Sequence, residues 1–193
     1  MFSHSLKFCN NFMKIGFSIF ALYKIVLGLH LEKYDRIAST ACVFLVVLVP
    51  FIIRKVIRYN LSDKLEFIYL IFVFLAHILG TVVNLYSSVW WWDLFVHFLS
   101  GVFTSYIALI LLTEFKVLKS KNKIFSAIFI VCFSLSIASL WEFFEFTADK
   151  ITGGDTQWVL KTGVDDTMTD MLVAFLGSIL FAFNHLINKK SNF

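Results

Sequence analysis

The stretch WWWDLFVHFLSGVFTSYIALILL, Trp90 to Leu112, is apolar for long enough to cross a bilayer and yet carries Asp93 and His97. About 20 apolar residues span the hydrocarbon core. An ionisable side chain inside such a span costs roughly 2.5 kcal/mol or more unless something compensates it. The segment therefore reads as a transmembrane helix whose two polar residues need partners.

Composition extends this reading to the whole chain. Of 193 residues, 59% are hydrophobic and only 16% charged, against about 25% charged in ordinary soluble domains. A window of about 19 residues finds six spans, at 14–31, 37–53, 66–87, 92–112, 124–146 and 168–187. No Gly/Ser-rich linker or soluble-sized segment separates them. The expected fold is all-α: one polytopic domain over 1–193, built as a six-helix transmembrane bundle.

Lys7 and Lys14 precede an apolar run, as in a secretory signal. Lys24 interrupts that run and no A-x-A cleavage pattern follows, so a retained first helix is expected. Cys9, Cys42 and Cys132 are odd in number and far apart, without C-x-x-C spacing, and read as free thiols. Abundant Phe, Ile, Lys and Asn with a single proline suggests an AT-rich bacterial genome.

The loops orient the bundle. With both termini inside, Lys7, Lys14, Arg54, Lys55, Arg58, Lys64, Lys116, Lys119, Lys121, Lys123, Lys189 and Lys190 fall on the cytoplasmic side, opposed there by Asp63, Glu66 and Glu114. That is the positive-inside arrangement. Most acids, from Glu32 to Asp170, then fall at or near the outer face. The formal charge of +4 accordingly marks topology and contact with membrane lipids, not nucleic acid, in a multi-pass protein of the bacterial cytoplasmic membrane.

The last three spans share a pattern. Span four carries Asp93 and His97, span five Glu142 and Glu145, and span six Asp166 and Asp170. Spacings of three and four put each pair on one helical face. Antiparallel order brings the three pairs to similar depth near the outer boundary. Each has a bland account. Asp93, Asp165 and Asp166 suit helix N-termini, and a histidine on an apolar face can be a hydrogen-bonded packing residue. The glutamates resist it, because they fall near the end of span five, where the dipole disfavours anions, and because like charges three apart repel.

A cation or a proton is therefore expected. Lys24, near the outer end of span one, could supply one charge, though it can also snorkel along its own helix. A divalent metal, Zn, Mn or Fe, satisfies carboxylates and imidazole more fully, with protonated acids or a Lys24-centred ion-pair network as the alternatives. In span three His77, Thr81 and Asn84 form a polar stripe suited to interhelical hydrogen bonding or to support of the site.

The motifs W-D-L-F-V-H-F-L-S-G, W-E-F-F-E-F and D-T-M-T-D-M resemble the Y-D-x-x-x-H-F-x-x-G, Y-E-L-x-E-W and D-T-Q-x-D-M signatures of the YjdF-like family of small bacterial inner-membrane proteins. The resemblance covers 90–185 and matches Asp93, His97, Gly101, Glu142, Glu145, Asp166 and Asp170. The R-E pair that the family often carries after its first motif reads Thr113-Glu114 here, and Met168 and Thr169 depart within the third motif. The resemblance implies the grouping of these residues and no particular reaction.

Two functions fit. One is a membrane-embedded metal-dependent hydrolase or transferase, in which the metal activates water and Glu142 or Glu145 serves as general base. Its substrate, a lipid or a small molecule, would arrive from the outer side. The other is a divalent-cation or proton transporter or sensor using the same acids. A structural membrane protein held by buried charges is a third. The inner portions of spans four to six contain no Asp, Glu, Lys, Arg or His at 103–112, 124–138 and 173–183. A pocket closed from below favours the enzyme.

Overall fold

The computed structural model describes residues 2–32, 37–116 and 122–187, and every regular element among them is helical. The helices are α1 (Phe2–His30), α2 (Ile37–Lys55), α3 (Asp63–Val73) with a π-helical continuation (Phe74–Val82), α4 (Leu85–Ser88), α5 (Trp92–Glu114), α6 (Lys123–Thr152), α7 (Val159–Thr162) and α8 (Asp165–Ile187). Five segments, Ser5–His30, Asp63–Val82, Trp92–Glu114, Lys123–Thr152 and Asp165–Ile187, are long and apolar enough to cross a membrane. The expected second span, 37–53, falls within α2, which is not among the five, so five spans and not the expected six are found among the described residues. Phe8, Phe12, Ile15, Ile19, Leu22 and Val26 form an exposed stripe on α1 at alternating spacings of four and three, as lipid solvation of one helix face requires.

Three boundaries differ from the expected ones; the first span, expected from 14, is helical from Phe2. The third span ends before 87, because the backbone widens into the π-helical segment and Asn84 then adopts a left-handed conformation, φ 77°. Asn tolerates that region better than most residues, and hydropathy does not register it. At its start, Ser62 caps α3 by accepting a hydrogen bond from the Leu65 N–H, 3.2 Å. The fifth span overruns 146, because nothing stops α6 until Gly153, φ 70°, whose N–H bonds the Asp149 carbonyl. Glu142 and Glu145 thus lie well inside the helix. The dipole penalty expected for them does not apply, since it fades within the last turn; burial and mutual repulsion remain.

The chain forms two compact units, Met1–Trp92 and Asp93–Phe193. In the first, Phe17, Ala21, Val43, Val47, Leu70, Val73, Ile78 and Val82 make the core, with the Phe17 and Phe74 rings stacked at 5.8 Å. Pro50 sits inside α2 and has no N–H to offer the carbonyl four residues back. That carbonyl, of Val46, accepts a 2.7 Å hydrogen bond from the Tyr69 hydroxyl on α3 instead. In lipid an unmatched backbone group costs several kcal/mol, so one tyrosine both permits the proline and registers α3 against α2.

A charge network ties the same three helices at one end. Glu66, buried on α3, takes Lys14 Nζ of α1 at 2.7 Å and Arg54 of α2 at 2.6 Å on its two oxygens. Arg54 also reaches Asp63 at 3.2 Å and donates to the Leu61 carbonyl at 3.0 Å. Asn10, fully buried, donates to the Asp63 carbonyl at 2.9 Å. Lys14, Arg54, Asp63 and Glu66 are thus not only loop charges that set topology.

In the second unit, small residues bring backbones together. A Cβ at Gly101 of α5 would overlap the Ala174 carbonyl of α8, and one at Gly177 of α8 would overlap the Phe98 carbonyl of α5. Ser134 of α6 shares a 2.7 Å hydrogen bond with Thr104 and donates to the Gly101 carbonyl at 3.1 Å. Where lipid removes the hydrophobic drive between helices, such small-residue contacts and polar cross-links hold a bundle. A second core, Ala108, Leu109, Leu112, Ala127, Ile130 and Ala182, fills the same three-helix unit. Cys9, Cys42 and Cys132 are free thiols.

Candidate functional site

Asp93 stands in the first turn of α5 and His97 one turn later, so the helix period alone puts both on one face. Asp170 comes from α8, held against α5 by the Gly101 and Gly177 contacts. His97 Nε2 lies 3.4 Å from Asp93 Oδ1 and 3.6 Å from Asp170 Oδ2. One ligand atom from each of the three residues lies within 4.8 Å of the other two. The His97 and Asp170 side chains are 11% and 4% exposed, so little water reaches the pair.

These separations discriminate between two uses. They are longer than a good N–H···O bond, about 2.7–3.2 Å. When carboxylate oxygen and histidine nitrogen bind Zn²⁺ at about 2.0–2.2 Å, the edges of a tetrahedral ligand set measure about 3.3–3.6 Å. The two separations from His97 Nε2 fall close to that range, and Asp93, His97 and Asp170 form a group that could hold a metal ion.

Glu142, Glu145 and Asp166 lie within electrostatic reach of this trio. Glu142 is 4% exposed and Asp170 3%, and Glu142 Oε1 and Asp170 Oδ1 are buried with no hydrogen-bond partner among the described residues. Asp170 feels the charges of His97, Asp93, Asp166 and Glu142. Glu145 feels Glu142, His97, Asp93 and Asp170, and Asp166 feels Asp93, Glu142 and His97. The six residues of the three pairs therefore share one electrostatic neighbourhood. Glu145 is less buried than Glu142 and accepts a 3.0 Å hydrogen bond from the Trp141 indole.

Asp165 opens α8, exposed, with its carbonyl taken by the Thr169 hydroxyl at 2.6 Å. Lys24, His77 and Asn84 belong to the first unit. Lys24 Nζ rests 5.9 Å from the centre of the Phe20 ring on its own helix, in keeping with snorkelling. His77 is half-buried in the π-helical segment, and Asn84 forms the left-handed break that follows it.

Sequence reasoning missed Gln157. It lies in the loop after α6, where Asp149 gathers the turn by accepting hydrogen bonds from Thr156 N at 2.8 Å, Thr156 Oγ1 at 2.7 Å and Gln157 N at 3.1 Å. The turn sends Gln157 inward, 6% exposed. Its Nε2 stands 3.2 Å from Glu142 Oε2, 3.2 Å from the Glu142 carbonyl and 3.2 Å from Thr167 Oγ1. No local signal in D-T-Q-W foretells this, because the contact depends on the loop path.

The model of a family described as "Predicted membrane protein (DUF2238)" matches residues 12–190. An "Uncharacterized protein" of Thermotoga maritima is 26% identical over 138 residues, which are 69% of this chain and 67% of the relative. No solved structure matches.

Proposed function

Since the chain belongs to the DUF2238 family of predicted membrane proteins, we propose that it is a membrane-embedded, metal-dependent hydrolase or transferase working on a substrate from the outer side. The observation that carries this reading is the spacing of Asp93, His97 and Asp170 as ligands about one divalent ion. Carboxylate and imidazole ligands suit Zn, Mn or Fe, and an ion of higher coordination number would take these three, one further carboxylate and still a water. Bound there, the ion would supply Lewis acidity and make water a stronger nucleophile near neutral pH. Glu142, buried and with one oxygen unengaged, lies outside the group of three and is the acid that would turn in as a further ligand when an ion binds. Glu145, more exposed and within electrostatic reach of the trio, is the general base, and Asp166 is a flanking carboxylate. We assign the YjdF-like signature carried by these residues to this same site.

A cation or proton transporter would use the same acids. The packing beneath them argues against a through-path: Gly101 against Ala174, Gly177 against Phe98, and the Thr104–Ser134 bond close the helices directly below. Elemental analysis of detergent-purified protein tests the metal. A stoichiometric divalent ion, retained through desalting and removed by chelator, is expected; protein that takes up neither Zn²⁺, Mn²⁺ nor Fe²⁺ would end the proposal.

The reading requires the site near the outer face, with α2 as a sixth span and both termini cytoplasmic. Its 19 residues are enough for a span, which takes roughly 17–25. In a cysteine-free background, Thr156→Cys should react with an impermeant maleimide in intact cells and Arg58→Cys only after permeabilisation. The reverse pattern would overturn the orientation.

A further inference from the structure

We infer that Gln157 is the positioning residue of this site: it holds one oxygen of Glu142 so that the other stays free to turn to the metal when an ion binds. The inference rests on the metal reading above. Four observations carry it. Gln157 is buried while Gly153, Gly154, Thr156 and Val159 around it are exposed. Its loop is pinned by three hydrogen bonds to Asp149, so its entry is built rather than incidental. Its amide nitrogen has three acceptors within 3.2 Å for two N–H groups, two of them on Glu142 and one, Thr167, on α8. Glu142 Oε1 is left buried without a partner.

An amide suits this task. Its N–H groups neutralise part of the Glu142 charge without supplying a proton or competing for the metal, and they bridge α6 to α8 one turn before Asp170. A lysine or arginine there would form an ion pair with Glu142 and draw it from the site. Thr167 contributes the hydroxyl that fixes the amide plane.

The test uses full-length protein in detergent with Co²⁺ as the probe, whose visible absorption reports ligand geometry. Gln157→Ala should weaken Co²⁺ binding by about 10–100-fold, the usual effect of losing a partner that orients a ligand, and should shift the Co²⁺ absorption bands. Gln157→Met keeps the volume and removes the donors. If it behaves like Gln157→Ala, the hydrogen bonds matter; if it restores wild-type affinity and spectrum, Gln157 only fills space and the inference fails. Wild-type affinity and bands in Gln157→Ala also overturn it. Failure of the wild type to bind Co²⁺ overturns instead the metal reading beneath it.

Discussion

Asp170→Asn is expected to abolish retention of a divalent ion and to reverse the effect of chelator on stability. The substitution keeps the size and hydrogen-bonding capacity of the side chain and removes its charge. Asp170 is one of three ligand atoms within 4.8 Å of one another, so its loss should exceed the 10–100-fold typical of a residue that only orients a ligand. In wild type, metal binding to the folded state adds RT ln(1 + [L]/Kd), about 2.7 kcal/mol at a hundredfold excess. With metal present the variant should therefore melt below the wild type.

In chelator the order should change. Asp170 then stands buried among Asp93, Asp166 and Glu142, with His97 as the balancing group. Asparagine removes three repulsions at the cost of one weak attraction, because His97 at 3.6 Å is beyond hydrogen-bond length. The variant should melt at or above the chelated wild type. A variant less stable by the same margin in both conditions would mean that Asp170 serves only as His97's ion-pair partner, since losing one member of a buried pair is destabilising with or without metal.

How much of this was legible in the sequence depended on distance along the chain. Asp93 and His97 share a helix face by spacing alone. Asp170 joins them because α5 and α8 both begin at this end of the unit, and Gly101 lets α8 approach closely enough. Gln157 was not legible: its place follows from a turn organised by Asp149 and begun at Gly153, both beyond the hydropathy limit set at 146. The end of α6 was misjudged for the same reason, since apolarity runs out before helical structure does. The spacing of His77, Thr81 and Asn84 reads as ordinary helix, and neither the π-helical segment nor the left-handed turn at Asn84 shows in it. Pro50 was visible, but the tyrosine that answers its missing N–H lies on another helix. Sites made within one helix are written locally, whereas those made by loops and helix crossings are written in the packing.

The network around Glu66 illustrates the same divide and bears the largest stability prediction. Read along the chain, Lys14, Arg54, Asp63 and Glu66 are charges near span ends, and exposed ion pairs contribute only about 0–1 kcal/mol. Glu66 is not exposed: it is 1% accessible, with Lys14 at 2.7 Å and Arg54 at 2.6 Å. Glu66→Ala removes the carboxylate that the two cations share. Breaking such a buried pair from one side costs about 3–5 kcal/mol. The lower end applies, because Arg54 keeps Asp63 and the Leu61 carbonyl, while Lys14 and Arg54 are 24% and 32% exposed and can turn to water. Lys14→Met in the Glu66→Ala background should recover part of the loss by removing the orphaned ammonium, so the double variant should melt above the single one. Thermal unfolding in detergent, at fixed salt, measures both. If Glu66→Ala melts within about 0.5 kcal/mol of wild type, the range of ordinary surface changes, the three helices are held by their apolar core and the Tyr69–Val46 bond, and the network serves orientation in the membrane alone.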